Sequence, residues 1–293
     1  MTTWTALTTT PDGRAAAALG TAMEAMAPAP AGIGVFEMED GSGLWEVGGY
    51  FDARPDTAQL ALLAAAHGAR DFTVSELPET DWVAKVRREL SPVRAGRFFI
   101  HGSHDADKVP EGVEPLLIEA AMAFGTGHHA TTVGCLEAME ALAGEGTTPP
   151  SRVLDLGCGT AVLAMAAARL WPRAAIWASD IDPVAVEVAA ANLAANGLDG
   201  RVTLLTAEGM DAPALRAAAP FDLILANILA GPLIALAGPI AAATAPGGRV
   251  ILSGLLTAQG ENVARAGAEF GLFVHDRRTI GEWTTLCARK NGR

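Results

Sequence analysis

The chain has 293 residues, 50% of them hydrophobic and 18% charged, a composition typical of a globular protein and not of a disordered one. Its 33 acidic residues outnumber the 21 basic ones, and the resulting net charge of −12 disfavours a protein that holds phosphate backbones over a wide face. No apolar run reaches the roughly 20 residues that a membrane span needs, and the first residues do not form a secretory signal. We therefore expect a cytoplasmic protein that binds neither a membrane nor a specific nucleic acid sequence.

The first part of the chain predicts short strands and helices in the order βαββαβ. The predicted strands are Trp4–Thr10, Ile33–Glu39, Leu44–Phe51 and Asp71–Leu77, and the predicted helices are Gly13–Met26 and Asp56–His67. This order is that of the ferredoxin-like split unit, an antiparallel sheet with helices on one face. The sequence predicts a small α+β domain over residues 1–77.

Residues 78–97 are predicted to link this domain to the next. Pro78–Leu90 has the pattern of a helix with one apolar side, and Ser91-Pro92 ends it because a proline disfavours helical backbone at the residue before it. Phe98–Ile100 predicts a further strand. We place a second domain over residues 98–293.

From Ser151 onward, apolar strands alternate with helices. The predicted strands are Arg152–Leu156, Ala174–Ser179, Val202–Thr206, Phe221–Ala226 and Arg249–Leu252; the predicted helices are Thr160–Leu170, Pro183–Ala195, Leu229–Ala243 and Ala258–Phe270; and Leu272–Arg277 with Thr284–Ala288 predicts an edge hairpin. Apolar strands set between helices are buried on both faces, which is typical of a doubly wound parallel sheet. The second domain is therefore predicted to be a Rossmann-like α/β domain.

A glycine loop follows the first strand of this domain. Gly157 and Gly159 allow the backbone to approach a ligand closely. The third glycine of a dinucleotide-binding loop is replaced by Val162, which disfavours a nicotinamide enzyme. Asp155 precedes the glycines, and a carboxylate there would repel pyrophosphate but attract the positively charged amino acid end of S-adenosylmethionine. The loop therefore favours S-adenosylmethionine as the cofactor.

Two further polar residues follow strands of the same sheet. Asp180 ends the second strand, where a carboxylate can accept hydrogen bonds from both hydroxyls of a ribose, whereas Asp182 is interpreted as the cap of the next helix. Asn227 ends the fourth strand, and its side-chain oxygen could accept a hydrogen bond from a substrate N–H. A helix cap before Leu229 is the alternative role for Asn227.

The segment from Ala123 to Thr132 contains two glycines, ends in the two threonines Thr131 and Thr132, and opens a helix. Either threonine could cap that helix or reach a ligand. His128 and His129 do not predict a metal site, because adjacent helical residues point in different directions and no third ligand is suitably spaced. The three cysteines also lack zinc spacing, so we expect no metal and reduced thiols.

These segments resemble the bacterial ribosomal protein L11 methyltransferase family over nearly the whole chain. The resemblance rests on the runs Phe124–Thr132, Asp155–Gly159, Asp180–Asp182 and Asn227–Leu233, with support from Asp81-Trp82, Ser91–Arg97 and Glu282-Trp283. It implies that S-adenosylmethionine contacts Thr132, Gly157, Asp180 and Asn227, with Phe124, His129 and Gly159 as further candidates. Where the family usually has another glycine this chain has Ala161, which predicts a slightly altered cofactor affinity.

The resemblance also implies a reaction and a substrate. The expected reaction is direct transfer of the sulfonium methyl to lysine and α-amino groups of ribosomal protein L11, with Asn227 holding the neutral amine in line. Residues 1–77 would recognise the ribosomal protein. The alternatives are a methyltransferase of base amines in RNA, which the acidic charge and the missing aromatic and basic platform disfavour, and a non-catalytic ribosome-binding protein with the same fold.

Overall fold

The computed structural model describes residues 3–30, 32–38, 43–77, 92–118, 128–146 and 148–292. The chain divides into two compact units, residues 1–89 and 90–293. The predicted linker helix Pro78–Leu90 and the predicted turn Asp40–Gly43 lie wholly or mostly outside the described residues. Within the described residues, no helix combines the length and the apolar character that crossing a membrane requires.

The first unit has the predicted ferredoxin-like order. Its elements are β1 (Thr3–Thr10), α1 (Gly13–Glu24), β2 (Gly32–Glu37), β3 (Trp45–Phe51), α2 (Thr57–His67) and β4 (Thr73–Leu77). The strands lie in the order β2-β3-β1-β4, and each neighbouring pair is antiparallel. The α+β fold expected for this part of the chain is confirmed.

Local signals set the ends of both helices in this unit. Asp12 caps α1 by accepting a hydrogen bond from the Ala15 N–H at 2.8 Å, and Asp56 caps α2 through the Ala58 N–H at 2.8 Å. Gly68 ends α2 in the left-handed region, with φ of 64°, where a residue without a Cβ is least strained. The helices then cover one face of the sheet and bury a core that includes Leu19, Met23, Val47, Phe51 and Leu60.

The second unit begins with a small sheet. β5 (Val93–Ala95) pairs antiparallel with β6 (Phe98–His101), which pairs parallel with β7 (Glu114–Leu117). The strand predicted at Phe98–Ile100 is confirmed. The helix predicted after the Gly-Thr-Gly segment is α3 (His128–Gly144).

The main sheet of this unit is doubly wound. Its strands are β8 (Arg152–Leu156), β9 (Ala175–Asp180), β10 (Val202–Thr206), β11 (Phe221–Asn227), β12 (Thr244–Leu256), β13 (Leu272–Ile280) and β14 (Trp283–Lys290). In the described residues these strands lie in the order β10-β9-β8-β11-β12-β14-β13. The pairs are parallel from β10 to β12, and the terminal hairpin adds β14 and β13 antiparallel. The Rossmann-like sheet and its edge hairpin are confirmed.

The helices of the sheet connections are short. They are α4 (Val162–Leu170), α5 (Pro183–Ala195), α6 (Pro213–Ala218), α7 (Ala230–Ala235), α8 (Ala237–Ala243) and α9 (Gly260–Glu269). The single helix predicted over Leu229–Ala243 is wrong, because the chain forms α7 and α8 with a break at Leu236. Pro239 explains the break, since its ring would collide with the carbonyl of Ala235 in a continuous helix.

The sheet order places a crevice beside β8. From β8 the chain continues to β9 and β10 on one side, and the later strands β11 and β12 lie on the other side. Ligands in open α/β sheets bind at such a reversal, outside the carboxyl ends of the strands. The loops after β8, β9 and β11 meet there, and they carry the polar residues singled out in the sequence.

Candidate cofactor and substrate site

A cavity of about 710 Å³ opens at the carboxyl ends of these strands. Its lining brings together most of the predicted site residues, which are Thr132, Asp155, Gly157, Gly159, Asp180 and Asn227. Phe124 lies outside the described residues, and His129 belongs to α3 but its side chain is not described. The predicted residues that line this one concave site therefore come from four separate segments of sequence.

The glycine loop has the backbone conformation that its glycines allow. Gly157 and Gly159 have φ of 70° and 51°, in the left-handed region where a side chain is strained. A Cβ on Gly157 would overlap the side chain of Ile228, so only glycine fits between β8 and the loop after β11. The N–H groups of Gly157 and Cys158 both donate to the Ser179 carbonyl, at 2.8 and 3.0 Å. These contacts fix the loop against the neighbouring strand.

Ala161 is the residue at which this chain departs from the usual loop. Its φ is 62°, the one left-handed value that the structure describes for a residue other than glycine. Such a conformation costs an alanine about 1 to 2 kcal/mol. Ala161 is fully buried in the core and does not line the cavity, and it immediately precedes α4, which begins at Val162. The predicted effect of Ala161 on cofactor affinity stays a prediction.

Asp155 is buried beneath the loop, with 1% of its surface exposed. Its Oδ2 accepts a hydrogen bond from the Ala164 N–H at 2.9 Å, which ties the end of β8 to the first turn of α4. The pKa of Asp155 is raised to about 8, chiefly because the carboxyl group is buried; the Ala164 hydrogen bond lowers this pKa and the nearby charge of Asp180 raises it. A cation in the cavity would favour the ionised form of this carboxyl group.

Asp180 and Asp182 have separate roles. The Asp180 carboxylate accepts from the Gly159 N–H at 2.9 Å and from the Asp182 N–H at 3.1 Å, so it holds the glycine loop and faces the cavity. Asp182 caps α5 by accepting from the Val184 N–H at 2.8 Å, which confirms the predicted cap. The half-exposed Asp180 is left at the end of β9 with oxygen lone pairs available to a ligand.

Asn227 and Thr132 both line the cavity and contact one another. The Nδ2 of Asn227 donates to the Oγ1 of Thr132 at 3.4 Å, although the two residues are 95 positions apart. The residue that precedes α7 is Leu229, so Asn227 is not the cap of that helix. Because its nitrogen is engaged by Thr132, the amide presents its Oδ1 as an acceptor. A donor such as an amine N–H is the complementary partner.

Several lining residues were not singled out by the sequence. Ile181 and Leu229 are apolar, yet 66% and 64% exposed, and both border the cavity, as do Glu208 after β10 and Gly254 in β12. A Cβ on Gly254 would meet the backbone of Ile228 at 2.5 Å, so this glycine permits the loop after β11 to approach β12. Their positions next to strand ends are the signal that could have identified them.

Metal binding and thiol chemistry find little support in the described part of the chain. There, no group of three or more His, Cys, Asp or Glu residues is arranged to hold a metal ion. Cys135, Cys158 and Cys287 are buried free thiols, and burial raises the pKa of each thiol group above its usual range. Thiols with raised pKa values are poor nucleophiles.

A doubly wound sheet with an Asp-x-Gly-x-Gly loop, an acidic residue after the second strand and an antiparallel terminal hairpin defines a Rossmann-like methyltransferase. Residues 15–291 match the family model described as ribosomal protein L11 methyltransferase (PrmA). The chain therefore belongs to the ribosomal protein L11 methyltransferase family.

Individual relatives agree with this assignment. A ribosomal protein L11 methyltransferase of Brucella suis is 48% identical over 242 residues, which cover 82% of this chain and 83% of that protein. The protein of the same name from Bradyrhizobium diazoefficiens is 46% identical over 266 residues, covering 89% and 88%. A crystal structure of ribosomal protein L11 methylase from Lactobacillus delbrueckii subsp. bulgaricus is 28% identical with a TM-score of 0.58, and covers 68% of this chain and 99% of that chain.

Proposed function

We propose that this protein transfers methyl groups from S-adenosylmethionine to lysine and α-amino groups of ribosomal protein L11 in the cytoplasm. The observation that carries the proposal is the pairing of Asn227 with Thr132 beside the glycine loop, because it engages the amide nitrogen of a cavity-lining residue and leaves the amide oxygen as the acceptor. The names of the relatives support the ribosomal protein as substrate.

The residues of the cavity fit S-adenosylmethionine. Because Gly157 has no Cβ that would overlap Ile228, the glycine loop can lie close to this part of the cavity wall. Asp180 would hold the ribose hydroxyls, and the loop beside Gly159 would lie against the rest of the nucleoside. Asp155, ionised when a cation lies beside it, would supply negative charge near the cationic end of the cofactor. When bound, S-adenosylmethionine supplies an electrophilic methyl group.

The chain's own contribution to methyl transfer is mainly geometric. Asn227 Oδ1 accepts a hydrogen bond from the substrate amine and directs the nitrogen lone pair, and Thr132 fixes the amide that does so. A free lysine amine has a pKa of about 10.4 and must lose a proton before it can react. Desolvation in a cavity that already holds a cation lowers the pKa of the amine. Water accepts the released proton.

Residues 1–77 are proposed to recognise the ribosomal protein, and residues 78–97 to act as a linker and hinge. Methylation of several amino groups of one protein requires that each group reach the same cofactor. A recognition domain on a hinge allows different orientations of one substrate.

Substitution of Asn227 tests the reaction directly. Purified protein, ribosomal protein L11 and methyl-labelled S-adenosylmethionine are mixed, and label in the protein is counted. We expect Asn227→Ala to lower kcat on the order of 100-fold, because the amine is no longer oriented, while binding of the ribosomal protein in a pull-down is retained. Label that appears in RNA, or no label with the unsubstituted protein, would contradict the proposal and favour an RNA methyltransferase or a binding protein.

A further inference from the structure

A pair of buried hydroxyl groups lies behind the Asn227 and Thr132 contact. Ser253 in β12 and Thr285 in β14 are 0% and 2% exposed, and their side-chain oxygens are 2.9 Å apart. Ser253 also lies 3.3 Å from the backbone carbonyl of Thr131, in the first turn of α3. Buried polar groups in a sheet interior require partners, and these two supply one another and the helix.

The contact of Ser253 with the Thr131 carbonyl gives the hydroxyl pair a direction. A hydroxyl group donates a single hydrogen, and the Thr131 carbonyl can only accept, so Ser253 donates to Thr131. Thr285 must then donate to Ser253. The result is a directed chain from Thr285 through Ser253 to the first turn of α3.

This chain of hydrogen bonds ends beside the proposed reacting centre. Ser253 is the register partner of Asn227 in the parallel pair of β11 and β12. The carbonyl that Ser253 holds belongs to the residue before Thr132, whose hydroxyl engages Asn227. In the second turn of α3, a Cβ on Gly134 would overlap the Thr285 hydroxyl, so the helix lies directly against β14 at this point. The hydroxyl pair thus fixes the start of α3 relative to the strand that carries Asn227.

We propose that Ser253 and Thr285 are positioning residues for methyl transfer. They hold the first turn of α3 so that Thr132 keeps the Asn227 nitrogen engaged and the Asn227 oxygen directed at the substrate amine. This inference rests on the proposed function, because it concerns the same reacting centre.

The expected stabilities of single and double variants distinguish this positioning role from ordinary core packing. Ser253→Ala alone leaves the Thr285 hydroxyl buried without an acceptor, which lowers stability and obscures any effect on activity. The double variant Ser253→Ala with Thr285→Val removes both hydroxyls and leaves side chains of similar shape, an exchange that is nearly neutral for stability. Thr285→Ser alone keeps the donating hydroxyl.

Thr244→Val is a matched control. Thr244 is 1% exposed and donates to the Ile240 carbonyl at 2.7 Å, so the substitution also removes a buried hydroxyl that donates to a helix carbonyl. It lies at the other end of the same strand pair, opposite Phe221, and away from Asn227. Its kcat therefore shows the effect of losing a buried hydroxyl hydrogen bond that lies away from the reacting centre.

The experiment measures kcat and KM for ribosomal protein L11, together with Tm, for all four proteins and the parent. We expect the double variant to lose about tenfold in kcat with unchanged KM, because a small displacement of the amide misaligns the amine, and to keep a Tm close to that of the parent. Thr285→Ser and Thr244→Val should keep the parent kcat. Parent kcat in the double variant, an equal loss in Thr244→Val, or a loss in Thr285→Ser as large as that of the double variant would overturn the positioning role while leaving the proposed function intact. A parent protein that transfers no methyl group would overturn both.

Discussion

Asp155 couples the stability of this protein to pH. Its carboxyl group is buried, and burial raises its pKa to about 8, compared with about 3.9 in an unfolded chain. Between these values the folded protein holds a proton that the unfolded chain releases. Stability therefore falls as pH rises through this interval, by at most about 1.4 kcal/mol per pH unit for one group.

Asp155→Asn tests this coupling. The amide oxygen can still accept the Ala164 hydrogen bond but no longer ionises. We expect the unfolding free energy of the variant, relative to the parent, to improve as pH rises from about 4 to about 8, and to level off above that. Urea unfolding at several pH values measures it. A constant difference across that interval would show that Asp155 does not titrate as described.

Gly157 is the residue where a single methyl group should have a large effect. Gly157→Ala places a side chain at φ of 70° and against Ile228, whereas Gly197→Ala has a similar φ of 65° with open space around it. Both should lose about 1 kcal/mol of stability from the left-handed backbone, and Gly157→Ala should lose more because its methyl group overlaps Ile228. We expect only Gly157→Ala to weaken S-adenosylmethionine binding, about tenfold or more, because the loop must move.

Calorimetric titration of cofactor into each variant provides the measurement. Adding Ile228→Ala to Gly157→Ala removes the obstructing side chain, so it should restore part of the affinity. Equal affinities of the Gly157 and Gly197 variants would argue against the close approach of the loop.

At the scale of elements, we expect the two carboxylates before α5 to have different roles, Asp182 as a helix cap and Asp180 as a ligand-binding residue. Asp182→Ala removes a helix cap and should lower the unfolding free energy by about 1 kcal/mol. Asp180→Ala removes the acceptor of the Gly159 N–H and the proposed ribose contact, so it should abolish cofactor binding detectable at micromolar concentrations. Thermal unfolding and calorimetry on both variants give the two readouts. Loss of binding in Asp182→Ala alone would reverse these assignments.

Strand and helix positions in the second unit could be predicted because the signals are local. Runs such as Val202–Thr206 are apolar and end in turn residues, and the prediction matches β10 to the residue. The break between α7 and α8 was missed because the apolar pattern continues through it, although Pro239 was visible. β5 and β7 are three and four residues long and too short to show a period.

In the candidate site, too, some features could be predicted from the sequence and others could not. Asp180 and Asn227 could be found because they follow apolar strands, where parallel sheets bind ligands. The bond of Asn227 to Thr132 could not be found, since it joins residues 95 positions apart. Ser253 and Thr285 look like ordinary strand residues in sequence, and only the pairing of β12 with β14 brings their hydroxyls together.

At the scale of the whole molecule, we predict that one compact unit binds the cofactor and the other recognises the substrate. A chain of residues 90–293 keeps every described residue that lines the cavity. We expect it to bind S-adenosylmethionine with an affinity within about threefold of the full chain, and to label ribosomal protein L11 at less than a tenth of the full rate at low substrate concentration. Equal labelling by the shortened and full chains would show that residues 1–89 do not recognise the substrate.

The position of β14 has a consequence for how the protein is made. This strand follows every other strand of the main sheet in the chain, yet it lies inside the sheet, between β12 and β13. During synthesis, β12 therefore keeps an unpaired backbone edge until residues 283–290 have left the ribosomal exit tunnel, and such edges can pair with other chains. This half of the sheet therefore cannot be completed before residues 283–290 have been made, and a ribosome that stalls shortly before them would release an aggregation-prone product.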